Sequence, residues 1–168
     1  HYIDGKLSIQ YSNTYNDQGI IKRALIQTYY ASGKIKSIDD YRFVDGIRTN
    51  RYLHEYDENG VILRALNVTY NSDGSKVKIS DDYRYVDGIR TLRYLREYGE
   101  NGVLLRALNV MYNADGSKVK ISDDYGYVNG IRASRLWKRY DANRVLIQSI
   151  TYVYSADGTT VVSQTNNL

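Results

Sequence analysis

The sequence predicts an all-β fold: an antiparallel meander of about twelve strands, assembled from tandem 42-residue units with a 14-residue sub-period. Three observations predict it. Glycines fall at one spacing along the chain, at Gly46, Gly60, Gly74, Gly88, Gly102, Gly116, Gly130 and Gly158, with Arg144 at the one missing step. Asp or Asn precedes most of them, and Asp-Gly and Asn-Gly supply the positive φ of tight hairpin turns at little steric cost. Proline is absent, so every backbone N–H remains available for strand pairing.

Taken in order, residues 1–38 form a partial unit. Its Tyr2 to Gly5 matches Phe43 to Gly46, and its Arg23-Ala24-Leu25 matches Arg64-Ala65-Leu66. Gly5, Gly19 and Gly33 keep the spacing, and one deletion after Gly33 accounts for the short step to Gly46. Residues 39–80 and 81–122 are two full units that align without gaps and differ at only seven of 42 positions, so both adopt one structure. Residues 123–168 form a diverged third copy, opening on Asp123-Asp124-Tyr125 as the others open on Asp39-Asp40-Tyr41 and Asp81-Asp82-Tyr83. His1-Tyr2-Ile3 enters directly into the pattern, which predicts a segment excised from a longer protein, with flanking domains of the same chain as its neighbours.

Within a unit, Ile89 to Tyr98 and Val103 to Tyr112 are rich in bulky and aromatic residues on both faces, as strands require. Leu105-Arg106-Ala107-Leu108 would tolerate a helix, but obligatory turns leave only about ten residues per element, short for a helix between two such turns. The third segment, Lys76 to Val86, alternates: Val77, Ile79, Asp81, Tyr83 and Tyr85 share one face, and Lys76, Lys78, Ser80, Asp82 and Arg84 the other. Ser80-Asp81-Asp82 are poor strand formers, so a bulge or bend is expected there.

Nineteen of the aromatic residues are Tyr, against one Phe and one Trp. Without tyrosine the apolar share of 42% falls to about 31%, lean for a packed core. That composition favours a long, thin or coiled repeat sheet, wet on both faces, continued by neighbouring repeats. A closed four-unit propeller-like array and a barrel remain the alternatives, since long strands leave exposed edges to manage.

Net charge is +4, with Lys and Arg interleaved among Asp and Glu, which argues against nucleic acid as a partner. No apolar run approaches the ~18 residues of a membrane span, and no signal peptide is visible. The lack of cysteine removes disulfides, thiolate metal sites and Cys nucleophiles together. His1 and His54 sit in no metal or nucleophile pattern, and no phosphate loop, nucleophile elbow or zinc spacing occurs. Asn71-Ser72-Asp73-Gly74-Ser75 only faintly resembles a calcium loop, with its glycine too early and no bidentate Glu to follow. The reading is a non-enzyme without cofactor or metal. The paired carboxylates Asp39/Asp40, Asp81/Asp82 and Asp123/Asp124 point to opposite faces of a strand and cannot act on one substrate; a bend or a cross-strand ion pair is the expectation.

Tyrosine carries the strongest functional signal. Tyr15, Tyr29, Tyr56, Tyr70, Tyr98, Tyr112, Tyr140 and Tyr154 precede turn positions by four residues and are expected to staple the hairpins. Tyr41, Phe43, Tyr83, Tyr85, Tyr125 and Tyr127 form same-face ladders that would stack on sugar rings, and Trp137 replaces the Leu53 and Leu95 of the other units. These seven are the candidate ligand residues.

The stretch Tyr56-Asp57-Glu58-Asn59-Gly60-Val61-Ile62, echoed at Tyr140-Asp141-Ala142-Asn143, resembles the YD repeat of RHS and wall-associated bacterial proteins. A more distant similarity is to the aromatic hairpin repeats of glucan- and choline-binding surface proteins. The resemblance implies long hairpins coiling into a shell or stalk, and an extracellular or bacterial cell-surface location. Two functional expectations follow: attachment to glycan or cell-wall polymer through the tyrosine ladders, or a purely structural stalk or shell that presents or encloses another domain.

Overall fold

The structure, a computed structural model, describes residues 1–3 and 5–168. A short hairpin of β1 (Tyr2–Ile3) and β2 (Lys6–Leu7) precedes one twelve-stranded sheet. The sheet contains β3 (Ile9–Tyr15), β4 (Ile21–Tyr29), β5 (Ile35–Val44), β6 (Ile47–Tyr56), β7 (Ile62–Tyr70), β8 (Val77–Val86), β9 (Ile89–Tyr98), β10 (Leu104–Tyr112), β11 (Val119–Val128), β12 (Ile131–Tyr140), β13 (Leu146–Tyr154) and β14 (Val161–Asn166). Spatial order equals chain order and every pairing is antiparallel. β3 and β14 are the two edges, so the sheet does not close into a barrel or propeller. Among the described residues there is no helix long and apolar enough to cross a membrane.

Three kinds of turn alternate. Asp45-Gly46, Asp87-Gly88 and Asn129-Gly130 are two-residue turns with φ positive at both positions, from 50° to 79°, as a type I′ hairpin requires. The second kind closes through Gly60 N–H to Asp57 O and Asp57 N–H to Val61 O, and the Asp57 carboxylate accepts from the N–H of Asn59 and Val61. Here only the glycine has positive φ, so Asn59-Gly60 is not the two-residue turn that its dipeptide suggests. The third kind is one residue longer, closing from Asn71 N–H to Lys76 O. The turn after β4 closes at Lys34, which is where the deletion after Gly33 shortens the chain.

Ser80-Asp81-Asp82 contains no bulge. These residues pair in unbroken register with Val68, Asn67 and Leu66 on one side and Arg96, Leu95 and Tyr94 on the other. Ion pairing of both carboxylates, described below, removes the polar penalty that led to the expectation of a break. The register shifts lie beside the turns instead, as between Thr69 and Tyr70. That shift pairs Val77 with Tyr70 and packs it on the Leu53, Leu66 and Val68 cluster, away from the face that holds Asp81.

Cross-strand pairing defines two faces. On one, Asp39, Leu53, Leu66, Asp82, Tyr94, Asn109, Asp123 and Trp137 lie side by side. On the other lie Asp40, Tyr52, Asn67, Asp81, Leu95, Leu108, Asp124 and Leu136. Repeat-equivalent residues therefore change faces from unit to unit, as Asp39, Asp81 and Asp123 do. Apolar packing follows the same alternation, with Leu53, Leu66 and Val68 on the first face and Leu95, Leu108 and Val110 on the second. Among the described residues no large side chain is fully buried, as suits a single-layer sheet.

Candidate functional site

The paired carboxylates are the centres of the polar network. Arg51 on β6 donates Nε and a terminal amine to the two Asp39 oxygens, both at 2.8 Å, and the Tyr41 hydroxyl donates to Asp39 at 3.1 Å. The guanidinium also lies 5.4 Å from the Tyr41 ring centroid. Arg93 and Tyr83 hold Asp81 in the same way, and Arg135 and Tyr125 hold Asp123. A planar guanidinium meets a carboxylate through two parallel bonds, which fixes strand register as well as contributing energy. Burial, reinforced by the Asp81 and Asp123 carboxylates, raises the pKa of the Tyr83 and Tyr125 hydroxyls.

The second carboxylate of each pair bonds the opposite neighbour. Asp40 accepts from Arg23 on β4 at 2.8 Å and from Arg42 on its own strand at 2.7 Å. Burial pushes its carboxyl up, but the hydrogen bonds and charges of the two arginines outweigh this and hold it below the ordinary carboxylate range. Asp82 is bound by Arg64 and Arg84. Among the described residues Asp124 is bound by Arg106 alone, since Gly126 stands where the sister strands carry Arg42 and Arg84. Expected as a bend or cross-strand ion pairs, the carboxylates are ion pairs.

The candidate ligand residues are all half-buried. Tyr41, Tyr83 and Tyr125 spend their hydroxyls on the triads. The pairs Tyr41/Phe43, Tyr83/Tyr85 and Tyr125/Tyr127 do not form one continuous row, because the middle pair lies on the opposite face from the other two. Pairs on one face are six strands apart, roughly 29 Å at normal strand spacing. The hydroxyls of Tyr85 and Tyr127 have no protein partner among the described residues. Trp137 sits between Asp123 and Ile150, within a face rather than at an edge.

A second arginine set, not anticipated from the sequence, lies beside the turns. Arg48 stacks 4.0 Å from the Tyr70 ring centroid and donates to Gly74 O at 3.3 Å. Arg90 treats Tyr112 and Gly116 alike, as does Arg132 with Tyr154 and Gly158. The longer turns thus curl back onto the strand two positions earlier. Their only sequence signal is the Ile-Arg that follows each two-residue turn, at Arg48, Arg90 and Arg132.

A concavity of about 590 Å³ lies over one such clamp. Arg90, Arg93, Tyr112, Lys118, Ser122, Tyr140 and Arg144 are among its lining residues, together with the apolar Leu108 and Val110. A neighbouring hollow of about 240 Å³ shares Lys118, Val119 and Tyr140 with it. Among the described residues no group of three or more His, Cys, Asp or Glu is placed to hold a metal ion.

No family model matches the chain, and no curated protein matches it. Among solved structures it is similar to a crystal structure of a protein of unknown function from Bacteroides fragilis. The two share 11% identity over 95% of this chain and 92% of that one, with a TM-score of 0.22, too low to carry fold or function across.

Proposed function

We propose that the chain is a non-enzymatic repeat segment of a secreted or cell-surface protein and that its role is mechanical, a single-layer sheet that presents or encloses another domain. One observation carries this reading. The Asp–Arg–Tyr triads at Asp39, Asp81 and Asp123 recur on alternating faces and spend on strand-to-strand bonds the polar groups that a ligand site would use. Repetition of one bonding set also suits a scaffold better than a reaction, which needs a unique cluster.

The test is removal of residues 81–122, which joins Ser80 to Asp123 within one strand type and leaves nine strands in the large sheet. A scaffold whose units contact only their neighbours keeps folding, with a melting temperature lowered rather than lost. Collapse of the shortened chain to an unfolded state in far-UV circular dichroism would remove the repeat-scaffold reading.

A second reading, attachment to glycan, is favoured by the unpartnered hydroxyls of Tyr85 and Tyr127 and the half-exposed Phe43 and Trp137 rings. Glycan-array binding that disappears in Tyr85→Ala/Tyr127→Ala supports it, and binding that survives the double change excludes these rings.

A further inference from the structure

The 590 Å³ groove differs from its equivalent one unit earlier in one respect, and that difference points to a ligand. Shifting its lining back by 42 residues gives Arg48, Arg51, Tyr70, Lys76, Tyr98 and Gly102 on the opposite face. Every member of that subset keeps its residue type except one: Arg144 stands where the sister has Gly102, and where the unit before Gly102 has Gly60. Arg144 has φ +72°, in the left-handed region that the glycines occupy at +84° and +81°. A side chain there costs roughly 1–2 kcal/mol. The chain carries that strain at a turn position whose side chain lines the groove.

The electrostatics fit. Arg93 is neutralised by Asp81, but Arg90, Lys118 and Arg144 have no carboxylate within ion-pair distance among the described residues. Arg90 instead stacks on Tyr112 and touches Gly116 O, leaving its Nε buried without a partner. The Lys118 ammonium donates to Ala142 O at 2.8 Å, a neutral partner. Tyr140 lines both the groove and the adjoining hollow, which adds Lys120 together with Asp141, a carboxylate occupied by the N–H groups of Asn143 and Val145. Three unneutralised cations beside a tyrosine ring that spans two contiguous hollows suit an extended anionic chain with flat, hydroxylated units rather than a point ion.

We propose that this groove binds an anionic polysaccharide, with Arg144, Lys118 and Arg90 facing its carboxylates or phosphates and Tyr140 stacking on a sugar ring. The groove adjoins the Tyr83/Tyr85 pair through Arg93 and Arg90 but is lined by none of the aromatic pairs of the glycan reading, and it does not depend on the scaffold reading. A scaffold with an inert groove would still survive removal of a unit.

The experiment is affinity electrophoresis at low salt of the full chain against polygalacturonate, polyglycerol phosphate, neutral dextran and a single-stranded oligonucleotide. Retardation by polygalacturonate or polyglycerol phosphate and none by dextran is expected, and which of the two acts distinguishes carboxylate from phosphate. Arg144→Gly is expected to weaken that binding about tenfold, the loss of one charged hydrogen bond, while raising thermal stability, so the loss cannot be ascribed to unfolding. Lys78→Gln, on an exposed β8 position outside the groove, is the control for net charge. No retardation by either anionic polysaccharide, retardation by the oligonucleotide alone, or equal weakening in Arg144→Gly and Lys78→Gln would each overturn the proposal.

Discussion

Position 144 separates backbone preference from side-chain use. Arg144 closes its turn through a 3.2 Å bond from its N–H to Asp141 O, the same bond that Gly60 makes to Asp57. Replacing it by glycine keeps the hydrogen bonds and removes the left-handed strain, so Arg144→Gly is expected to stabilise the fold by about 1 kcal/mol in urea unfolding. The left-handed glycines differ in what surrounds them. A Cβ at Gly60 would meet nothing within 4 Å, whereas one at Gly116 would lie 2.9 Å from Arg90 O and 3.0 Å from Arg90 N. Gly60→Ala therefore costs only the backbone term, about 1 kcal/mol, while Gly116→Ala must also push the turn off β9. Chemical denaturation of the two variants should rank Gly116→Ala as clearly the more damaging, and equal losses would mean that the curled turn contributes nothing.

From β4 to β12 consecutive strands are tied by carboxylate–guanidinium pairs, and these give the sheet an acid limit. Asp40 is 7% exposed, and its folded pKa is lowered from the ordinary 3.8. A depressed carboxyl stabilises the fold above its unfolded pKa, and that contribution is lost as pH falls from about 4 towards the folded value. Stability should therefore decline below about pH 4. Asp40→Asn should be less stable at neutral pH, with a shallower decline between about pH 4 and 2 in pH-resolved urea melts. An unchanged acid slope would show that Arg23 and Arg42 do not act through this charge. The strands themselves were legible because turn glycines recur every fourteen residues and leave no room for another element. The carboxylates were legible too, since adjacent strand residues must face apart. The face of each aromatic pair was not. It depends on where the extra residues beside each turn are absorbed, such as the rotation of Val77 onto the Leu53 cluster, and nothing in Val77-Lys78-Ile79 announces that rotation. The Arg48, Arg90 and Arg132 clamps were hidden for a related reason, because they join a strand to a turn 26 residues away.

At the scale of the whole molecule, a 42-residue unit contains three strands, an odd number. Each unit therefore runs opposite to the one before it, and the register set beside the turns presents its equivalent residues on the other face. Both faces carry the same mixture of ion pairs and small apolar clusters, and a lean apolar composition suffices because neither face is asked to be a core. The charged ladder fades towards both edges, where Gln10 stands in place of Arg51 and Thr165 and Asn166 stand in place of Asp123 and Asp124. Tyr29 donates to Gln10 at 2.9 Å, and Asn167 reaches Thr151 at 2.9 Å, so neutral hydrogen bonds replace ion pairs there. Reversal by unit makes a geometric prediction for the chain lacking residues 81–122. Glu58 and Ala156 are exposed turn residues at opposite rims of the sheet, seven strand spacings apart. Strand spacing and rise place them roughly 47 Å apart. Removing three strands brings them to the same rim, four spacings apart, at roughly 19 Å. Cysteines placed at these two positions are the sole thiols in the chain and can be labelled for energy transfer. A fall to about 20 Å is expected; a distance of about 38 Å, the value for strand removal without reversal, would show that the units do not alternate in direction.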